Sequence, residues 1–261
     1  MRGEVDEIDP TEARRIGREI GPFLTKHATA CSAPITIELP KEFGGTITNG
    51  SCGFIRSPKR DFVVTAYHVV EAALHAIREG NARILIGQLW VKDFEECIIS
   101  YSRERDIATL RFSEDALPFV KTKPGWESRF STYWPPIAPV EQCNVFFSGF
   151  PGAIRNDDDD GVTYRPLTGT YLTSTVTDTS IRIVRDPEHE DIKETPNMAP
   201  MNFDLGGMSG APLFSCIKVN GLIKLIFCGV ITEGNTNFNL IHAARAECIS
   251  ADGTVSSQWS L

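Results

Sequence analysis

Apolar residues recur in two rhythms along this chain. Over residues 10–28, Ala13, Ile16, Ile20 and Phe23–Leu24 fall near helical spacing with charges between them, which predicts an amphipathic helix. Pro10 suits its first turn and Asp9 its N-cap, while Gly17 and Gly21 weaken it. From residue 35 the rhythm changes to short apolar runs bounded by turn residues: 35–39, 45–48, 53–56, 62–65, 83–89, 95–100 and 108–112. A second series covers 144–149, 168–176, 180–185, 211–218, 221–232 and 239–242. A helix is expected at 66–78 and a short one at 243–247. Residues 121–140 are rich in proline and aromatics, including Pro124, Trp126, Trp134 and Pro136, and read as a crossover. The expected architecture is all-β: an N-terminal helical arm at 1–34, a first strand unit at 35–125, a crossover at 126–140 and a second strand unit at 141–261.

The 261 residues give room for one large or two small domains and a sizeable core. Hydrophobic residues at 41% and charged residues at 23% are ordinary for a soluble globular protein. A net charge of −8 disfavours nucleic acid or an anionic membrane as partner, since both attract basic patches. No run reaches the ~18 apolar residues of a membrane span, and residues 1–10 are too acidic and polar for a secretory signal. The seven cysteines are scattered, with no C-x-x-C pair and no histidine at ligand spacing, so no metal site is expected. Their odd number, and the apolar neighbours of Cys97, Cys216 and Cys228, predict buried free thiols and a cytoplasmic location. The acidic turn 156–161 clusters oxygen atoms but lacks the spaced ligands and terminal Glu of a calcium loop, so a solvated loop is the stronger reading. Residues 186–197 read equally as a flap over a cleft or as a surface loop. No cofactor is expected.

The candidate chemistry lies in three segments. Asp204-Leu205-Gly206-Gly207-Met208-Ser209-Gly210-Ala211-Pro212 places one serine among glycines. A serine is a weak nucleophile that needs an adjacent base, and glycines allow the tight turn that points successive N–H groups one way. Thr65-Ala66-Tyr67-His68 ends a buried β run, and Asp106 opens the run Ile107–Phe112. Together they supply a nucleophile (Ser209), an imidazole base (His68) and a carboxylate to orient it (Asp106).

These segments resemble the T-A-x-H, D-I-A-x-L and G-x-S-G-x-P blocks of the trypsin/chymotrypsin-like serine peptidases, in that family's His, Asp, Ser order. The resemblance spans roughly residues 44–249. Residues 225–234 look like the strand after the nucleophile that pairs with substrate backbone. Residues 45–55 look like the hairpin strand before the histidine in bacterial Deg-type members. The resemblance implies two six-stranded antiparallel β-barrels, His68 and Asp106 on the first and Ser209 on the second. It implies a cytoplasmic serine endopeptidase acting on protein or peptide through an acyl-enzyme, with the Gly207 and Ser209 amides as oxyanion hole. In members activated by a freed amino terminus an acid precedes the serine. Met208 stands there, so the arm is expected to serve packing or assembly. Phe203 and Asp204 fall where the family sets its primary pocket. Phe203 would fill the pocket and favour small or apolar side chains; Asp204 would instead favour Lys or Arg. Thr232, Glu233 and Gly234 form the pocket wall. With no Deg-type peptide-binding module expected, control falls to a regulatory protein partner, oligomerisation or an induced cleft. The competing expectations are an idle peptide-binding module that holds an extended chain by strand addition, and a self-cleaving or ester hydrolase.

Overall fold

The structure is a computed structural model describing residues 5–6, 8–43, 45–120, 127–158, 161–184, 204–235 and 239–256. A short strand β1 (Val5–Asp6) leads into helix α1 (Pro10–Ala30). Asp9 is the N-cap, its carboxylate accepting from the Thr11 N–H at 2.8 Å and the Glu12 N–H at 3.0 Å, and these bonds lower its pKa. Ala13, Ile16, Leu24 and Ala28 form the buried stripe expected of an amphipathic helix.

The first sheet contains β2 (Ser32–Glu38), β3 (Ile47–Arg56) and β4 (Asp61–Thr65), then helix α2 (Tyr67–Gly80). The strands β5 (Arg83–Ile86) and β6 (Leu89–Trp90), a helical turn α3 (Phe94–Cys97), and strands β7 (Ile98–Ser102) and β8 (Ile107–Arg111) complete it. The spatial order is β6-β5-β2-β3-β4-β8-β7, antiparallel throughout. The second unit holds β9 (Asn144–Gly149), the small hairpin β10 (Asn156–Asp158) and β11 (Gly161–Thr163), and β12 (Leu167–Val176). It continues through β13 (Ser180–Val184), β14 (Pro212–Val219), β15 (Leu222–Asn235) and β16 (Leu240–Arg245). Here β14-β15-β16-β13-β12-β9 run in order, and β9 pairs back with β14 through Phe147↔Leu213 and Phe146↔Phe214. That pairing closes a six-stranded antiparallel barrel, to whose β14 edge β1 adds.

The protein is therefore all-β with a helical N-terminal arm, one closed barrel and one open sheet. Closure is the first point where the structure differs from the expected pair of six-stranded barrels: the first sheet has seven strands, and among the described residues no pairing joins β6 to β7. Beside β7 and β8 lies the C-terminal segment instead, with Val255 N–H donating to Ser100 Oγ and Thr109 Oγ1 donating to Gly253 O. Other differences are local. Segments 45–48 and 53–56 merge into β3, because Gly50 and Gly53 are not breaks but sites of close approach: a Cβ would lie 2.6 Å from Val69 at the first and 2.6 Å from Pro212 at the second. The 95–100 strand starts as the turn α3, and the 243–247 helix is instead strand to Arg245, held by pairing with β13 and β15, followed by a 3-10 turn. Pro124, Trp126 and the segment 186–197 lie outside the described residues.

Period-two alternation sorts the side chains into three cores. In β4, Val63 points into the core of the first sheet under α2, while Phe62 and Val64 point toward the second unit. In β14, Leu213 fills the barrel and Phe214 and Cys216 face outward. The middle core joins the two units through Ile55, Phe62, Phe146, Phe214 and Phe227, with α1 across it. Arg129 donates its N–H to Ala30 O and Ser131 bridges to β3, so the described part of the crossover hugs the first sheet. Among the described residues no helix is long and apolar enough to cross a membrane.

His27, near the end of α1, is buried between the Arg129 guanidinium, 2.9 Å from Nδ1, and Cys31. Burial, then the nearby guanidinium, lower its pKa from 6.5 to about 4. The unfolded chain binds this proton below pH 6.5 and the folded protein does not. Stability should therefore fall as pH drops from 6.5 toward 4, by on the order of 2–3 kcal/mol from this group. In denaturant titrations across that window, His27→Gln should show a shallower pH dependence than wild type.

Candidate active site

Helix α2 begins one residue after β4, and its N-cap, Ala66, has no side chain able to cap it. Asp106, in the turn before β8, supplies the missing acceptor. Its Oδ1 accepts from the His68 N–H at 2.8 Å, and its Oδ2 lies 2.7 Å from His68 Nδ1. One carboxylate thus caps the helix and fixes the ring, leaving Nε2 as the free nitrogen. Asp106 holds a left-handed backbone, φ 53°, which Asp tolerates better than most residues. The His68 pKa is raised above 6.5, first by the hydrogen bond to Asp106, against an opposing effect of burial. The His68 side chain remains about half exposed (49%).

The serine loop, residues 204–211, is seated against β3 and the end of β4. Ser51 N–H donates to Ser209 O at 2.8 Å. Gly210 is left-handed, φ 94°; a Cβ there would lie 2.0 Å from Ser51 O and 2.2 Å from Thr65 Oγ1. Only glycine permits this approach, which brings the Ser209 backbone beside the segment leading into His68. Within the loop, Met208 N–H donates to Leu205 O, Ala211 N–H to Met208 O and Gly210 N–H to Ile231 O. The Gly207 and Ser209 amides have no acceptor among the described residues. Gly207 is left-handed as well, φ 96°. Two unpaired amides flanking one hydroxyl are what an oxyanion site requires.

The Ser209 hydroxyl itself donates to Thr232 O at 3.1 Å. Thr232 is the bulged residue of β15: pairing with β16 shifts between Ile231 and Glu233. Gly234 packs on Leu205, to which a Cβ would approach within 2.8 Å. Glu233 is exposed. Asp204 is exposed too, and its Oδ1 accepts from the Gly206 N–H at 2.8 Å, tying it to its own turn. The structure therefore sets the Ser209 hydroxyl on Thr232, packs Gly234 on Leu205, ties Asp204 to its own turn and holds His68 with Asp106. Phe203 lies outside the described residues. Met208, where an acid was the alternative, is buried in the barrel core against Gly149. Among the described residues no group of acids, histidines and cysteines is placed to hold a metal ion.

Two residues that the sequence motifs did not single out belong to this site. Asn49 donates from Nδ2 to Phe150 O at 2.6 Å, and Ser51 donates from Oγ to Gly207 O at 2.7 Å while accepting from the Phe150 N–H at 2.9 Å. The available signal was the alternation in β3, where Asn49, Ser51 and Gly53 share the face opposite Gly50, Cys52 and Phe54.

No family model matches the chain, and no curated protein matches it. Among solved structures, it is similar to a chain from a study of the coupled folding and binding of the intrinsically disordered Sesbania mosaic virus VPg protein. That match has 15% identity, covers 83% of this chain and 92% of the other, and has a TM-score of 0.42. It is also similar to the Rv3671c protease from M. tuberculosis in its active form, at 17% identity, covering 94% of this chain and 86% of the other, with a TM-score of 0.41. Likeness at this level carries no functional weight; strand pairing and site geometry do.

The His68–Asp106 pair has a measurable consequence. Because Asp106 favours the imidazolium, the His68 ring signals in a proton NMR titration should move with a midpoint above 6.5, and Asp106→Asn should bring that midpoint down toward 6.5. The pair's contribution to stability is present in full below pH 6.5 and is lost as pH rises through the folded midpoint.

Proposed function

We propose that the chain is a serine endopeptidase with Ser209 as nucleophile, His68 as general base and acid, and Asp106 as orienting carboxylate. The observation that carries this is the two-point grip of Asp106 on His68, beside a serine loop seated with two unpaired amides. In the reaction His68 Nε2 takes the Ser209 proton as Oγ bonds to the substrate carbonyl carbon. The Gly207 and Ser209 amides stabilise the oxyanion, each worth about 3 kcal/mol. His68 then gives the proton to the leaving amine as the C–N bond breaks, and water repeats the sequence to free the acid.

On this reading the substrate backbone joins the cleft edge of β15, whose pairing with β14 ends at Val230. Its N–H takes the Thr232 carbonyl and releases the Ser209 hydroxyl toward His68. The open first sheet then stands where a chymotrypsin-like pair has its other barrel. Substrates with small or apolar side chains at the cleaved bond, and control by a partner protein, belong to the same reading. So does a cytoplasmic location, supported by seven free cysteines, six of them buried.

A second reading has one observation in its favour: the hydroxyl rests on Thr232 rather than on His68, as in an idle peptide-binding cleft. A fluorophosphonate probe separates them. The peptidase should label stoichiometrically at Ser209, and Ser209→Ala should lose labelling and about 10⁶ of its turnover. An unlabelled wild-type protein favours the idle cleft.

A further inference from the structure

In a trans peptide the N–H of one residue points opposite to the C=O of the residue before it. The direction of an oxyanion donor is therefore set by whatever holds the preceding carbonyl. Gly206 O, which governs the Gly207 N–H, accepts from the Gly152 N–H at 2.9 Å. Gly152 belongs to the turn after β9, and that turn is itself held from the first sheet. Asn49 Nδ2 donates to Phe150 O, and Phe150 N–H donates to Ser51 Oγ. The same Ser51 hydroxyl donates to Gly207 O, and the Ser51 amide donates to Ser209 O. Asn49 also fills the gap between the two glycines. A Cβ on Gly207 would lie 2.4 Å from Asn49 Nδ2, and one on Gly152 would lie 2.8 Å from Asn49 Oδ1.

We propose that Asn49 and Ser51 are positioning residues that, through the Phe150–Gly152 turn, aim the Gly207 amide of the oxyanion site, so that the first sheet sets a donor of the second. This rests on the peptidase reading. Neither residue bonds to His68 or Asp106, so their role is separable from that of the base. The Ser51 hydroxyl makes one donor and one acceptor bond. Its removal takes these partners from Gly207 O and Phe150 N–H and loosens the turn whose Gly152 N–H holds Gly206 O.

The test compares Ser51→Ala, Ser51→Cys and the isosteric Asn49→Asp, which loses the donor to Phe150 O. It uses a chromogenic peptide ester and a peptide aldehyde whose adduct places its oxygen in the oxyanion site. Ser51→Ala and Asn49→Asp should lower kcat roughly ten- to a hundredfold and weaken aldehyde inhibition by the same factor. KM and the pH midpoint of kcat/KM should stay at the wild-type values, and Ser51→Cys, which keeps a weak donor, should fall between. Wild-type kcat in both Ser51→Ala and Asn49→Asp overturns the positioning role, as does a loss confined to KM or a shifted pH midpoint. Fluorophosphonate labelling of the wild type is run in parallel. If wild type does not label, the peptidase reading falls and this role falls with it. If wild type labels and the variants behave as wild type, only the positioning role falls.

Discussion

The rest of the site depends on the backbone-to-backbone seating of residues 206–210 on β3. Gly210 lies so near Ser51 O that no side chain fits, and Pro212 occupies the space that a side chain on Gly53 would need. The apolar core between the two units, built on Phe146, Phe214, Phe227, Ile55 and Phe62, supplies most of the drive to associate, at about 1.5–3 kcal/mol for each large side chain buried. Burial is indifferent to a small slip of one wall along the other. The hydrogen bonds from Ser51 and Gly152 are individually weaker, about 1 kcal/mol net, but they tolerate no slip. Apolar area brings the two sheets together, and a few polar contacts with missing Cβ atoms decide the register.

Asp106 illustrates the same division on the other side of the cleft. Its carboxylate satisfies an amide at the start of α2 that Ala66 cannot cap, and a charge at a helix N-terminus is favourable there. That structural role fixes where the second oxygen lies, and the second oxygen fixes the His68 ring. A left-handed backbone at Asp106 is the local cost of doing both. The favoured imidazolium makes His68 a stronger base once deprotonated. It also leaves less of the neutral form near pH 7.

The three candidate segments could be picked out because each is local: a residue type, its immediate neighbours and the kind of element it adjoins. The apolar rhythm likewise placed most strands of both units, though not the short strands β1, β6, β10 and β11, and helical spacing with the motif context placed the two long helices. The gap expected between 45–48 and 53–56 closes in the structure: Gly50 and Gly53 sit inside β3, where they let Val69 and Pro212 approach. The open first sheet was beyond reach for a related reason: the extra strand Leu89–Trp90 is two residues long, and the edge at β7 lies beside a segment some 150 residues downstream. Asn49 and Ser51 escaped because their partners are 101 and 156 residues away, and the alternation of β3 gives their face without those partners.

The loop's order also explains how Met208 can stand before the serine. An acid at that place needs a buried cation as counterpart, and desolvating both charges consumes much of what the pair returns. Here the same place holds a thioether against Gly149, inside the core of Leu213, Cys228 and Ile231. Leu205 anchors the other end of the loop on Gly234. These two apolar anchors lie on either side of Gly207, and with Ser51 and Gly152 holding the carbonyls between, the segment has little freedom to turn over. Residues 10–30 meanwhile pack across the middle core and onto the outside of the closed barrel, where Asn144 Nδ2 donates to Ala13 O and Lys218 pairs with Glu12. The arm therefore braces the barrel wall that carries β9, and β9 in turn presents the Phe150–Gly152 turn to the serine loop.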